Sequence, residues 1–201
     1  MSKLRTQGVA ALTIVGLVAA ATIATDAEAR GRGAKRDKVT EIIVHATGGP
    51  FCKGGKVVFS PAGTVATMKR FFEASGQVSI HYIIGRDGEV AKSVPEDEVA
   101  IHTVGHNDRA IGIELINAGD GREPYTREQI EALIKVIRGV QGRWRIPLSE
   151  IKGHEDVDKS TFACGGQQAR RKQDPGPLFP WERFRQELLL AEKAGAQPKR
   201  N

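Results

Sequence analysis

The chain has 201 residues, 40% of them hydrophobic and 27% charged, with a formal net charge of +6. That is enough apolar material for a buried core, which excludes a wholly disordered chain, and enough charge to argue for a soluble domain. The basic balance admits nucleic acid, anionic lipid or an acidic polymer such as cell wall as a partner, and by itself does not choose.

The N-terminus is informative. Lys3 and Arg5 precede the apolar run GVAALTIVGLVAAATIAT, and DAEAR follows, with Ala27 and Ala29 placed as an A-x-A cleavage site. This order is that of an export signal, so residues 1–29 are read as a signal peptide. The alternative is an uncleaved membrane anchor, for which the run is short and rich in Ala and Thr. No cysteine lies near the cleavage site to mark a lipoprotein. The mature protein is therefore expected in the periplasm or outside the cell. Both cysteines, Cys52 and Cys164, would lie there, where a disulfide can persist. An even count fits one bridge without proving it.

Residues 30–38, RGRGAKRDK, read as a flexible basic leader. The folded domain is expected over residues 39–190. VTEIIVHAT is a short β-branched strand ending near His45. GTVATMKRFFEAS carries Val65, Met68, Phe71 and Phe72 at helical spacing. VSIHYIIG and EVAKSV form a hairpin about Asp87-Gly88. AIGIELIN is a strand with Ile111, Ile113 and Leu115 on one face and Gly112, Glu114 and Ile116 on the other. YTREQIEALIKVIRGVQGRW is the clearest helix, with a capping-box pattern at Thr126 and Gln129 and an apolar stripe at Ile130, Leu133, Ile134 and Ile137. PWERFRQELLLAEK is a last helix with Pro180 near its start, and residues 191–201 are expected as a disordered tail. Strands interleaved with helices, with one hairpin, predict an α/β domain: a central mixed sheet flanked by helices.

The candidate chemistry begins with five histidines: His45, His81, His102, His106 and His154. Taken singly, each reads as an ordinary core or surface residue. His45 closes its strand, however, and a side chain there points into a loop-lined cleft. His154 follows Gly153 and opens a polar stretch. Imidazoles with one oxygen or sulfur ligand make a three-residue zinc set, and either Cys164 or Asp174 could complete it. Asp174 sits in DPGP, where two prolines stiffen the chain.

Five segments in order, EIIVHAT, SIHYIIGRDGEV, AIGIELIN, GHEDV and KQDPGPLFPW, resemble the zinc N-acetylmuramoyl-L-alanine amidases. This is the amidase-2 family of AmpD-like amidases, phage lysozyme-type amidases and peptidoglycan recognition proteins. The resemblance spans roughly Val39 to Phe184, and no single motif is decisive. It implies zinc ligands at His45, His154 and Asp174, one ion per chain. It implies catalytic roles for Glu114, in Gly-Ile-Glu-Leu, and Lys172, in Lys-x-Asp-Pro-Gly. His102 matches the histidine of the family's Trp-His-Ala-Gly segment, so it is expected to line the substrate cleft, with His106 and Asn107 touching substrate. Ile101 replaces the tryptophan of that segment. Phage-type members carry a tyrosine where this chain has Ile80, so Tyr82 does not inherit that role. If His45 and His154 hold one metal, the loops trailing them converge. Cys52 and Cys164 could then meet as a disulfide on the rim of the site, with STFACGGQQARR as an inserted loop.

The resemblance further implies the reaction. Zinc activates water, Glu114 moves its proton to the departing amine, and zinc with Lys172 stabilises the oxyanion. The bond cut would join N-acetylmuramic acid to L-alanine in peptidoglycan or muropeptides. The alternatives are a non-catalytic peptidoglycan-binding module and a phage-derived endolysin with a releasable N-terminal anchor. The expected protein acts as a monomer, without stable membrane insertion once the signal is removed. A nucleic-acid partner has only charge in its favour.

Overall fold

The computed structural model describes residues 31–196; the expected signal peptide at residues 1–29 lies outside them. In chain order the elements are β1 (Glu41–Ala46), β2 (Pro50–Lys53), β3 (Lys56–Phe59), α1 (Val65–Ala74), β4 (Tyr82–Ile84), β5 (Val90–Lys92), β6 (Ala110–Leu115), α2 (Arg127–Trp144), β7 (Ile151–Gly153), α3 (His154–Val157), β8 (Thr161–Cys164), β9 (Gln167–Arg170) and α4 (Trp181–Ala196). Five strands form one sheet in the order β5-β4-β6-β1-β7. Only the β4–β5 hairpin pairs antiparallel in it; the other neighbours run parallel. This is the mixed sheet with flanking helices that the alternation of elements predicts.

The central strands are covered on both faces, as parallel strands require. On one face, Ile42 and Val44 of β1 and Ile111, Ile113 and Leu115 of β6 pack against α2 and α4 through Ile130, Leu133, Ile137, Phe184 and Leu188. On the other, Ile80, Ile83 and Ile116 meet Val65 and Phe72 of α1. Every residue of β1 and β6 is buried, so the polar members of those strands must be satisfied or costly. Two of them, His45 and Glu114, are direct partners in the β1–β6 register.

Helix α1 starts with a complete capping box between Thr64 and Thr67. In α2, Thr126 accepts from the Gln129 backbone N–H at 3.1 Å, but Gln129 does not reach back. Its amide is buried and donates to the carbonyls of Ile84 and Ile116 at 3.0 and 3.3 Å, closing the ends of β4 and β6. The expected box is therefore half formed, because the sheet ends compete for the glutamine.

Three boundaries differ from the sequence reading. Residues 31–38 are not free. Gly33 donates to Val99 O at 2.9 Å, and Arg36 N to Asp97 O at 2.8 Å. The Arg36 guanidinium is buried and donates to the carbonyls of Glu96, Asn107 and Ala110 at 2.9–3.0 Å. A cation held by backbone carbonyls is invisible to composition, which reads this stretch as a leader. At the other end, α4 runs to Ala196, into the expected tail. The segment read as an inserted loop is the β8–β9 hairpin, and β2–β3 is a second hairpin. Each turns on two glycines with positive φ, 58° and 74° at Gly54-Gly55, and 59° and 79° at Gly165-Gly166. That is the geometry of a two-residue hairpin loop that side chains resist. The turns touch: a Cβ on Gly165 would lie 2.2 Å from Gly55 O. Cys52 and Cys164 join the hairpins in a disulfide with Cα atoms 5.4 Å apart.

Away from this end, Glu96 ties the β4–β5 side of the sheet to the end of α2. It accepts from Arg143 Nε at 2.9 Å, Trp144 Nε1 at 2.7 Å and the Tyr82 hydroxyl. Burial alone would push its pKa up; the hydrogen bonds from Arg143, Tyr82 and Trp144 outweigh it and hold the carboxyl at about 2. A depressed folded-state pKa stabilises above the unfolded value of 4.5 and is lost as pH falls towards 2. Glu96→Gln should therefore cost about 2 kcal/mol in urea unfolding at neutral pH and flatten the pH dependence below 4.5. An unchanged acid limb would remove Glu96 from that role.

Candidate active site

Three segments deliver the side chains that could hold a metal. His45 ends β1, and His154 opens α3 directly after β7, the parallel neighbour of β1. Asp174 lies on the strap between β9 and α4. The strap is pinned by Glu155 N donating to Asp174 O at 2.9 Å and Tyr125 Oη donating to Pro175 O at 2.5 Å. It lies so close to β7 that a Cβ on Gly153 would stand 2.9 Å from Pro175 Cδ.

His45 Nδ1 is 2.9 Å from His154 Nδ1 and 3.2 Å from Asp174 Oδ2, and His154 Nδ1 is 3.0 Å from Asp174 Oδ2. Tetrahedral zinc ligands at ordinary bond lengths stand about 3.3 Å apart, so the three atoms are spaced to share one ion. All three residues are buried. Burial, then the neighbouring His154, lowers the His45 pKa to about 4, which keeps its lone pair available. Burial would raise Asp174; hydrogen bonds from His154 and His45 overcome it and hold the carboxyl well below the usual range. Two nitrogens and one carboxylate oxygen, with one open position, fit zinc. Cys164 is unavailable as a ligand because its sulfur is bonded to Cys52.

The outer nitrogens need partners too. His154 Nε2 has none within hydrogen-bond range and faces Asp158 Oδ2 at 4.0 Å. With His45 Nδ1 turned to the ligand cluster, its Nε2–H donates to His102 Nδ1 at 3.1 Å. The His102 ring lies over Gly112, where a Cβ would approach its Cγ to 2.7 Å. Asn107 Oδ1 accepts from the backbone N–H groups of His102 and Thr103 at 2.8 and 2.7 Å, so it shapes the loop and does not enter the cleft. His106 turns to Glu41 Oε2 at 2.6 Å, at the far end of β1 from His45. Neither His106 nor Asn107, both expected to touch substrate, lines the cleft that holds the triad. Nearness to His102 in sequence does not carry over, because the turn reverses the chain. Tyr82 is on the α2 face and bonds Glu96, so it takes no part.

The triad opens into a cleft of about 490 Å³. Glu114, Lys172 and His102 line it among the polar residues, and Phe51, Met68, Phe71, Phe72, Val78 and Ile101 among the apolar ones. Glu114 is buried, and among the described residues its Oε2 has no hydrogen-bond partner. Burial, then the charge of Asp174, pushes its pKa up to about 8, with Lys172 opposing.

The model of the Amidase_2 family, described as N-acetylmuramoyl-L-alanine amidase, matches residues 35–177. The chain belongs to this family. The matched span takes in His45, Glu114, His154, Lys172 and Asp174, and it begins within the segment read as a leader. Among curated amidases, the 1,6-anhydro-N-acetylmuramyl-L-alanine amidase AmpD of Enterobacter cloacae is 38% identical over 115 residues, 53% of this chain and 55% of that protein. N-acetylmuramoyl-L-alanine amidase AmiD of Escherichia coli is 31% identical over 137 residues, 57% of this chain and 46% of that one. The chain spans about half the length of these curated relatives. Among solved structures, E. coli AmiD in complex with anhydro-N-acetylmuramic acid-L-Ala-D-gamma-Glu-L-Lys superposes with a TM-score of 0.59 at 25% identity, over 79% of this chain and 61% of that one.

Metal measurements test the ligand set. Asp174→Ala should lose zinc and Cys164→Ser should keep it; the reverse would overturn the assignment. Gly112→Ala should push His102 off His45 and weaken zinc binding about ten-fold or more in chelator competition. Unchanged affinity would show that His102 does not orient the ligand.

Proposed function

We propose that the chain is an exported, zinc-dependent N-acetylmuramoyl-L-alanine amidase. It would cut the amide between N-acetylmuramic acid and L-alanine in peptidoglycan or its fragments. One observation carries this reading: His45, His154 and Asp174 converge beside a buried carboxylate, Glu114, whose Oε2 has no hydrogen-bond partner among the described residues. A zinc ion held by the three supplies Lewis acidity toward water and the amide carbonyl. Every other task falls to the chain itself.

Glu114 is the proton carrier. Its Oε2 is unpartnered and its residue lines the cleft beside His45, so it can take a proton from the attacking water. A cation among the ligands favours the ionised form that accepts the proton. Burial favours the protonated form, which then returns that proton to the departing amine nitrogen. Lys172 brings a positive charge to the same cleft, where it would stabilise the oxyanion growing on the carbonyl. His102 holds the His45 ring so that Nδ1 keeps its aim.

Export draws support from the Cys52–Cys164 bridge, because disulfides persist in oxidising compartments. No helix among the described residues is long and apolar enough to cross a membrane. A lytic role is a second reading of the same chemistry: the endolysin of Enterobacteria phage K11 is 26% identical over 155 residues, 95% of that protein and 74% of this chain. A purely binding module is disfavoured because His45, His154 and Asp174 are grouped as a metal could use them, with Glu114 lining the same cleft.

The test is digestion of purified muropeptides followed by mass spectrometry, with zinc content measured in parallel. Wild type should release free stem peptide. Glu114→Gln should keep its zinc and lose about 10²- to 10⁴-fold in rate. Zinc-loaded wild type that releases no peptide would promote the binding-module reading.

A further inference from the structure

We propose that the disulfide-tied β2–β3 hairpin is a sugar-binding lip, with Phe51 and, from α1, Phe71 stacking on the saccharide half of the substrate; this rests on the amidase reading above. Phe51 is 44% exposed and Phe71 52% exposed, and both line the cleft that holds the triad. Phe71 is braced edge-on by the buried Phe72, with ring centroids 5.3 Å apart. Two large aromatics left in water at the mouth of a polar site offer a flat apolar surface to a ligand.

The hairpin itself points the same way. No residue of β2 or β3 is buried, so it adds almost nothing to the core. It is nonetheless fastened at three places. The disulfide joins it to β8, and its turn rests against Gly165. At its base, Ser60 N donates to Gly49 O at 3.0 Å and closes the hairpin, while Gly48 N just before it donates to Asn117 O at 2.9 Å and ties it to the chain that follows β6. A segment that buries no core yet is bonded at both ends is held for the surface it presents.

Charge decides which half of the substrate meets that surface. Arg171 and Lys172, on the strap that follows β9, bring two cations to the cleft. The Arg171 guanidinium lies 5.7 Å from the Phe162 ring centroid, which steadies it. The stem peptide carries carboxylates and belongs on the side of these cations, with Arg171 as their partner since Lys172 serves the oxyanion. The sugar ring is neutral, with C–H faces and an acetamido methyl, and those complement the electron-rich face of an aromatic ring. The peptide therefore runs toward Arg171 and Lys172, and the sugar lies on Phe51 and Phe71.

NMR titration of the zinc-loaded protein with the two product halves tests this. The halves are the N-acetylglucosaminyl-N-acetylmuramic acid disaccharide and the L-alanyl-γ-D-glutamate dipeptide. Phe51→Leu and Phe71→Leu should each weaken disaccharide binding about three- to ten-fold, with dipeptide binding and zinc content unchanged. Phe51→Trp should restore it, which separates stacking from mere apolarity. The Cys52→Ser/Cys164→Ser double variant should behave like Phe51→Leu, since the lip loses its tie. Undiminished disaccharide binding in both leucine variants, or a loss confined to the dipeptide, would overturn the proposal. Absence of hydrolysis by the wild type would count against the amidase reading alone, because the titration judges the lip without turnover.

Discussion

Two imidazole nitrogens and a carboxylate oxygen face one another at 2.9–3.2 Å with little access to water. Lone pairs set that close inside a protein are costly unless something positive sits among them. Much of the rest of the structure serves this arrangement. Parallel pairing of β1 with β6 and β7 puts His45 beside Glu114 and one strand away from the segment that opens on His154. The strap then has to pass close enough to β7 to bring Asp174 in, which leaves no room for a side chain at Gly153.

The same sheet divides labour between its faces. One face is apolar but for the Tyr82 hydroxyl and carries the weight of the core against α2 and α4. The other is apolar only beneath α1, and beyond it His45 and Glu114 emerge into the cleft. Gly112 belongs to this second face, and its missing side chain makes the space in which His102 backs His45. The Arg36 clasp steadies that region from outside: its guanidinium holds the carbonyls of Asn107 and Ala110, which flank the end of the loop carrying His102. The two small hairpins stand apart from the sheet, and the first lines the cleft with Pro50 and Phe51.

The main strands were legible as short β-branched runs, which suit burial on both faces, and the helices by apolar residues at helical spacing. AIGIELIN alternates faces as its letters suggest, and the Ile130, Leu133, Ile137 stripe of α2 meets the core as drawn. The Lys-x-Asp-Pro-Gly frame around Asp174 favoured it over Cys164, and the spacing of the cysteines behind His45 and His154 matches the bridge that forms. What was missed depends on tertiary contact. The hairpins have four-residue strands of which only Cys164 is buried, too little alternation to mark them; the Gly-Gly pairs at 54–55 and 165–166 were the available signal. Arg36 looks like one more solvated cation until the carbonyls of a distant loop surround it. His106 and Asn107 sit near His102 in sequence, but one turns to Glu41 and the other folds back on its own loop.

The central claim is that a single zinc ion sits among His45 Nδ1, His154 Nδ1 and Asp174 Oδ2. Anomalous diffraction at the zinc edge, on crystals of the zinc-loaded protein, tests it most directly. The account predicts one strong peak about 2.0–2.2 Å from each of those three atoms. A peak on the Nε2 side of either histidine, or a zinc-loaded protein whose ion lies elsewhere, would contradict it.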